Sequence, residues 1–164
     1  MITTRKITFS AIVIAMYITL MLITQSFAFG QYQVRLATAL YALSYIYPFL
    51  IIPFGISNLL SNALMGGLGP LDVIGGTIVG ITTSSIIFLI RKFRLNKLFV
   101  ILVIVLCPGL IVPIWLSFLL NLPYKVLAIS ICIGQVIPGI VGFFLISHLE
   151  RLKVLSDVNL HFKE

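Results

Sequence analysis

The sequence has 164 residues, of which 60% are hydrophobic and 9% are charged, and its formal net charge is +7. The mean hydropathy is +1.20, and so few charged residues cannot cover the surface of a soluble domain of this size, which excludes a soluble globular protein. The composition predicts one all-α integral membrane domain that comprises residues 1–164.

The first apolar segment, residues 7–29, follows the basic pair Arg5 and Lys6. A signal peptide has a shorter apolar core and ends in a cleavage site of small residues. This segment is instead long enough to cross a bilayer, which takes roughly 20 residues. We therefore predict that it is a retained first transmembrane helix.

The next apolar segment, residues 36–66, is too long for one ordinary crossing and short for two. The basic residues decide the count, because cytoplasmic loops collect Lys and Arg. If the clusters that begin at Arg5, Arg91 and Arg151 share one side, an even number of crossings separates the first two clusters. Residues 36–66 then cross twice, and Pro48 favours the break, because the residue before a proline is biased away from helix.

The charge pattern therefore predicts six transmembrane helices, with both termini in the cytoplasm and with an unusually short second helix. Of the basic residues, only Arg35 and Lys125 then face outward. The predicted helices comprise about residues 7–28, 36–47, 49–66, 71–90, 97–120 and 124–149.

Motifs for catalysis are not found in the sequence. It has no nucleotide-binding Gly-Lys loop, no paired histidines at helical spacing and no Gly-x-Ser-x-Gly. We predict that the chain is not an enzyme and holds no metal or cofactor, and that Cys107 and Cys132 are buried spectators. Active transport would have to draw energy from a partner or an ion gradient.

Polar residues collect at the predicted outward connections. Asn58, Ser61 and Asn62 lie three and four residues apart, which places them on one helix face. Such residues face a bundle interior or a cavity, because lipid cannot satisfy them. With nearby aromatic side chains they predict a pocket for a flat, polar small molecule. The polar residues on this side are Gln31, Gln33, Arg35, Asn58, Asn62, Asp72, Asn121 and Lys125, and the aromatic residues are Tyr32, Tyr41, Tyr45, Trp115 and Tyr124.

Each of these residues also has a purely structural interpretation. Trp115 would suit a membrane interface without any ligand, and Asp72 would stabilise the start of a helix through the helix dipole. Asn58 and Asn62 would join helices by hydrogen bonds, and Lys125 would extend to the membrane surface. The binding interpretation depends on their convergence on one side.

Small residues form a stripe on the first helix, at Ala11, Ala15 and Thr19. Small residues four apart let another helix approach closely, although chance packing gives the same pattern. Together with six short helices, a basic start and an outward polar cup, the stripe resembles the substrate-binding S components of energy-coupling factor (ECF) transporters. In that family an Ala-x-x-x-Ala stripe on helix 1 docks onto a transmembrane coupling subunit, and the resemblance implies this role for the three residues.

Two further stretches resemble the QueT family of S components, which is associated with uptake of queuosine precursors. They are "QYQVRLATALYAL" and "NLLSNALMGGLGPLDVIGGTIVGI", and the resemblance covers most of residues 5–150. The family commonly carries a glutamate where this chain has Thr38, so Asp72 is the only acidic residue left on the outward side. The substrate-binding residues that we predict are Gln31, Gln33, Arg35, Thr38, Tyr41, Tyr45, Asn58, Asn62, Asp72 and Asn121.

The resemblance implies a subunit of an ECF-type importer in the plasma membrane of a prokaryote. It would take up a queuosine precursor or a related deazapurine base, and it would work with the coupling subunit and two cytoplasmic ATPases rather than with nucleic acid. The alternative is a self-contained, ion-coupled secondary transporter or channel subunit, which would use Asp72 or Arg35 as its coupling site.

Overall fold

The computed structural model describes residues 3–30, 32–66 and 68–152, and these residues form helices and their connections. Five helical segments have the length and hydropathy to cross a membrane, and a sixth apolar helix is shorter. The predicted six-helix membrane fold is therefore confirmed. The five long segments are Thr4–Ile23, Pro48–Gly66, Pro70–Lys92, Phe99–Leu120 and Tyr124–Arg151, and the short one is Leu36–Tyr45.

The first crossing consists of two helices, α1 (Thr4–Ile23) and the short α2 (Gln25–Ala28), rather than the continuous helix 7–28 expected. They meet at Thr24, whose hydroxyl donates to the carbonyl of Leu20 at 2.6 Å. A threonine that bonds back to the preceding turn competes with regular helix geometry. After the break Gln25, Ser26 and Phe27 are exposed, whereas Ala28 is fully buried.

The second crossing, η1 (Leu36–Tyr45), is a 3₁₀ helix of ten residues, and nine of them are buried. A 3₁₀ helix rises about 2.0 Å per residue, so ten residues extend roughly 20 Å instead of the roughly 15 Å of an α-helix. Because protein surrounds η1, its length need not match the thickness of the lipid. Its three residues per turn place Thr38, Tyr41 and Ser44 on one face.

The remaining helices are α3 (Ile51–Ser61), α4 (Pro70–Lys92), α5 (Phe99–Leu120) and α6 (Tyr124–Arg151). A short 3₁₀ turn, Pro48–Leu50, precedes α3, and a π-helical turn, Asn62–Gly66, follows it. Glycine allows α6 to pack closely on η1, because a Cβ atom at Gly142 would lie 2.9 Å from the carbonyl oxygen of Ala39.

The helices alternate in direction, and one end of the bundle, the basic end, brings together Arg91, Lys97 and the start of α1. Lys97 pairs with Glu150 at 2.5 Å, and the rings of Phe9 and Tyr47 lie 5.1 Å apart. At the other end, the cup end, lie the connection between α3 and α4 and the connection between α5 and α6. This arrangement follows the alternation that the charge pattern predicts.

Helix α1 has two different faces. Val13, Tyr17 and Met21 are buried against the bundle, whereas the three residues of the small-residue stripe, Ala11, Ala15 and Thr19, are exposed. An α-helix at the edge of a bundle buries one stripe and leaves the other free. The small-residue stripe is therefore accessible from the membrane.

Arg91 closes the basic end of η1. Its guanidinium donates to the carbonyls of Tyr45 at 3.1 Å and Ile46 at 3.3 Å, and it lies over the Tyr45 ring at 5.7 Å. The last carbonyls of a helix have no partner within the helix, so this cation caps η1.

We expect Arg91→Ala to lower the free energy of unfolding by roughly 1.5 kcal/mol, because it removes charge-assisted bonds to carbonyls. The melting temperature in detergent should fall by a few degrees. Lys92→Ala is the matched control, since it removes the same charge from the exposed neighbouring position. Equal melting temperatures for the two variants would show that the cap does not stabilise η1.

Candidate functional site

A polar cavity, the inner cavity, lies among η1 and helices α3 to α6. It contains about 10 Å³ of open space, which is about the volume that one water molecule needs. Charged, amide and aromatic side chains meet in its wall, as expected of a site for a small polar molecule. The lining residues are Gln33, Arg35, Thr38, Tyr41, Asn58, Asn62, Asp72, Gly76, Val79, Pro108, Val112, Trp115, Ile131 and Gln135.

Seven of the ten predicted binding residues line this cavity, and their role in binding stays a prediction. Two others lie elsewhere: Tyr45 contacts Arg91 at the basic end, and Asn121 is the exposed, left-handed residue that ends α5. Gln31 lies outside the described residues. The seven that meet are Gln33, Arg35, Thr38, Tyr41, Asn58, Asn62 and Asp72.

Arg35 is buried and is held from two sides. Its Nε donates to the carbonyl of Ala28 at 3.3 Å, and its Nη1 donates to Oδ1 of Asn62 at 3.2 Å. The guanidinium also lies 4.8 Å from the centre of the Phe29 ring, in cation–π contact. A guanidinium has five N–H donors, and within the described part of the chain these bonds use two of them.

Asp72 lies in the first turn of α4 and is only 2% exposed. Its Oδ1 accepts a hydrogen bond from Nε1 of Trp115 at 3.0 Å. Its Oδ2 is buried and has no hydrogen-bond partner among the described residues. Leaving a buried carboxylate oxygen unpaired is costly, so Oδ2 is an acceptor that a further donor could satisfy.

Asn62 connects the two charged residues. Its Oδ1 accepts from Arg35 and its Nδ2 donates to the backbone carbonyl of Asp72 at 3.1 Å. Since a guanidinium only donates and a carbonyl only accepts, both contacts fix the orientation of the amide. Arg35 and Asp72 do not pair directly: in the described residues the structure has one ion pair, between Lys97 and Glu150.

Glycines of α4 make room for the asparagines of α3. A Cβ atom at Gly80 would lie 2.6 Å from Nδ2 of Asn58, and one at Gly76 would overlap the amide of Asn62. Both pairs of residues are four apart, so each amide of one helix meets a glycine of the other. The asparagines can therefore reach the cavity while the two helices stay in close contact.

Gln135 was not predicted from the sequence, although it is central to the site and only 1% exposed. Its Oε1 accepts from the hydroxyl of Thr38 at 2.7 Å, and its Nε2 donates to the carbonyl of Gln33 at 2.8 Å. It is the one amide side chain in α6. An amide within an apolar membrane helix is expected to face the bundle interior or a cavity, because lipid cannot satisfy it, and that signal could have found it.

Tyr17 was also not predicted, and it contacts the site from behind. Its hydroxyl bonds to the hydroxyl of Tyr41 at 3.1 Å and to Oδ1 of Asn58 at 3.2 Å. Nδ2 of Asn58 in turn donates to the Tyr41 hydroxyl and to the carbonyl of Phe54. These bonds tie α1 to two residues of the cavity wall.

A larger cavity of about 440 Å³, the outer cavity, adjoins the inner one at the cup end. The two cavities share Gln33 and Ile131 as lining residues. Gln33 has a positive φ of 45°, and the absence of a side chain at Gly134 lets the neighbouring carbonyl of Tyr32 approach α6. A thin wall that includes an irregular backbone segment thus separates the cavities.

The polar cavity within a six-helix membrane bundle agrees with a comparison with known families. Residues 7–151 match the family described as QueT transporter. The chain belongs to the QueT transporter family. It is therefore a multi-pass membrane transport protein. No match was found among curated proteins or among solved structures.

We expect Asn62→Leu to destabilise this QueT family member, because it leaves the buried Arg35 without its amide acceptor. An unpaired buried polar group costs about 1–3 kcal/mol, and a charged one costs more, so the melting temperature in detergent should fall by several degrees.

Ala63→Leu is the matched control for this variant, since it introduces the same side chain at the next, exposed position. Its melting temperature should stay close to that of the parent protein. The bridging role of Asn62 would be refuted by a smaller loss of stability in Asn62→Leu than in Ala63→Leu.

Proposed function

We propose that this chain is the substrate-binding subunit of an ECF-type importer, which captures a queuosine precursor or a related 7-deazapurine base. The observation that carries the proposal is the buried Oδ2 of Asp72, an acceptor without a partner among the described residues, on a side chain that lines the same cavity as Arg35. Membership of the QueT transporter family supports the transport of a queuosine precursor.

A guanine-like edge matches this pair of groups. It has two adjacent N–H donors, which a carboxylate such as Asp72 accepts well, and a carbonyl oxygen, which a guanidinium such as Arg35 can contact. Trp115 and Tyr41 line the same cavity and can contact the face of a flat ring. Because Thr38 stands where the family commonly has a glutamate, Asp72 is the remaining carboxylate that could accept from the N–H groups of the ligand.

A base needs more room than the inner cavity has. Its open space is about 10 Å³, whereas the adjoining outer cavity has about 440 Å³. Binding would therefore move part of the wall that contains Gln33 and Ile131, so that the ligand passes from the cup end into contact with the charged groups. The cup end is then the outward side of the membrane.

The exposed small-residue stripe of α1 supports docking onto a coupling subunit. Ala11, Ala15 and Thr19 lie opposite the buried Tyr17, and small side chains permit close approach of a partner helix. The partners in this proposal are the ECF coupling subunit and two cytoplasmic ATPases. The basic end would lie in the cytoplasm of a prokaryote with both termini, in agreement with the positive-inside rule.

We expect Asp72→Asn to weaken the binding of 7-deazaguanine by roughly ten- to a hundred-fold, because it removes a charge-assisted hydrogen bond while it keeps the shape. Isothermal titration calorimetry on the purified protein measures the affinity. Glu150→Gln, which removes a carboxylate charge at the basic end, serves as the control and should bind as the parent does. An unchanged affinity in Asp72→Asn would show that Asp72 does not contact the ligand.

We expect the double variant Ala11→Leu and Ala15→Leu to abolish uptake of 7-deazaguanine by cells but to leave binding by the purified protein intact. Larger side chains would keep a partner helix away from α1. The control is Ile12→Leu with Met16→Leu, at exposed positions of α1 that already carry large side chains.

Uptake at the parental level by the double alanine variant would exclude the stripe as the docking face. Uptake that continues in cells without the ATPases would favour the ion-coupled secondary transporter instead.

A further inference from the structure

Tyr17, Tyr41 and Asn58 form a closed ring of hydrogen bonds in the bundle interior. They come from α1, η1 and α3, and all three are almost completely buried. Tyr41 and Asn58 line the inner cavity, whereas Tyr17 does not. The ring therefore has two members in contact with the cavity and one member behind it.

The direction of each hydrogen bond in the ring is fixed by one backbone carbonyl. The Phe54 carbonyl, 3.0 Å from Asn58, can only accept, so the NH₂ group of the amide must face it. Oδ1 of Asn58 then faces Tyr17 and receives the single hydroxyl hydrogen of that tyrosine. The second N–H of the amide donates to the oxygen of Tyr41.

The contact between the two tyrosines then has only one possible donor. Tyr17 has already given its hydrogen to Asn58, so Tyr41 must donate to the Tyr17 oxygen at 3.1 Å. Each member of the ring thus donates to one neighbour and accepts from the other. The oxygen of Tyr41 keeps one free lone pair and no free hydrogen.

We infer that Tyr17 is a positioning residue that determines ligand specificity: it holds the hydroxyl hydrogen of Tyr41 and so leaves Tyr41 as a pure acceptor towards the cavity. The inference rests on the proposed function and goes beyond it. A ligand N–H can bond to Tyr41 without disturbing the ring. A ligand acceptor atom can bond to Tyr41 only if Tyr41 breaks its hydrogen bond to Tyr17. That loss is costly in surroundings of low dielectric.

Asp72, another residue of the cavity wall, acts in the same sense, because its Oδ2 is also an acceptor without a donor in the described residues. Two acceptors in one wall favour ligands whose edge carries several N–H groups. Tyr17 would thus help to distinguish a guanine-like base from an adenine-like base, although α1 contributes no lining residue to the inner cavity.

The test compares two ligands in the full-length protein and in Tyr17→Phe. 7-Deazaguanine carries N–H donors at N1 and at the 2-amino group, whereas 7-deazaadenine has an acceptor at N1. In Tyr17→Phe the hydrogen of Tyr41 is free to point into the cavity, so 7-deazaadenine should gain relative to 7-deazaguanine. The ratio of their dissociation constants should shift by roughly two- to ten-fold, the effect of one hydrogen bond.

Two further variants control this experiment. Tyr124→Phe removes a tyrosine hydroxyl that donates to the Leu110 carbonyl on the exposed surface, and it should leave the ratio unchanged. In a Tyr41→Phe background, Tyr17→Phe should also leave the ratio unchanged, because no hydroxyl remains to be directed. An equal loss of affinity for both ligands in Tyr17→Phe would overturn the inference and leave the proposed function standing.

If the parent protein binds neither base, the proposed function fails, and the hydrogen-bond direction is judged without a ligand. The Raman doublet of tyrosine responds to whether the hydroxyl donates or accepts, and subtraction of the Tyr41→Phe spectrum isolates Tyr41. A change in the Tyr41 doublet on Tyr17→Phe supports the inferred direction. An unchanged doublet overturns it.

Discussion

The burial of two opposite charges inside a membrane bundle is the constraint on which the rest of this structure depends. Arg35 and Asp72 line one small cavity without forming an ion pair, and an isolated charge in such surroundings would be prohibitively costly. Asn62 links the two residues, because its amide accepts from the guanidinium of Arg35 and donates to the backbone carbonyl of Asp72, while Trp115 donates to the carboxylate. The charges are thereby held apart, so that each keeps hydrogen-bonding capacity. A direct ion pair would have satisfied the two residues and left less for a ligand to contact.

The local backbone geometry follows from that requirement. The 3₁₀ form of η1 extends a ten-residue segment through the interior and places Thr38 and Tyr41 on one face. The glycines of α4, at 76 and 80, leave space for amides that any larger residue would displace. Glycine is unfavourable within a helix by up to about 1 kcal/mol relative to alanine. The helix carries that cost at the positions where side chains of α3 need to reach the cavity.

The number of crossings and much of the cavity could be predicted from the sequence, because basic clusters alternate with apolar runs and the polar residues of α3 share a helical face. Tyr45 is a predicted binding residue that does not line the inner cavity. Tyr41 and Tyr45 were both predicted to be binding residues, and residues four apart share a face of an α-helix. In a 3₁₀ helix the fourth residue lies about 120° away, and Tyr45 contacts Arg91 instead. Gln135 is the one amide side chain in α6, and which way it faces depends on tertiary packing.

Helix α1 combines two properties that would otherwise require separate elements. Tyr17, on its buried face, bonds to two residues of the cavity wall, and Ala15, two positions earlier, is exposed to the membrane. Residues two positions apart in an α-helix differ by about 200° in direction, so Tyr17 and Ala15 lie on opposite faces of α1. A ligand that alters the donor direction of Tyr41 changes one of the hydrogen bonds that tie α1 to the cavity wall. The proposed specificity of the cavity and the proposed docking face thus both involve α1, whose Tyr17 hydroxyl bonds to the cavity wall.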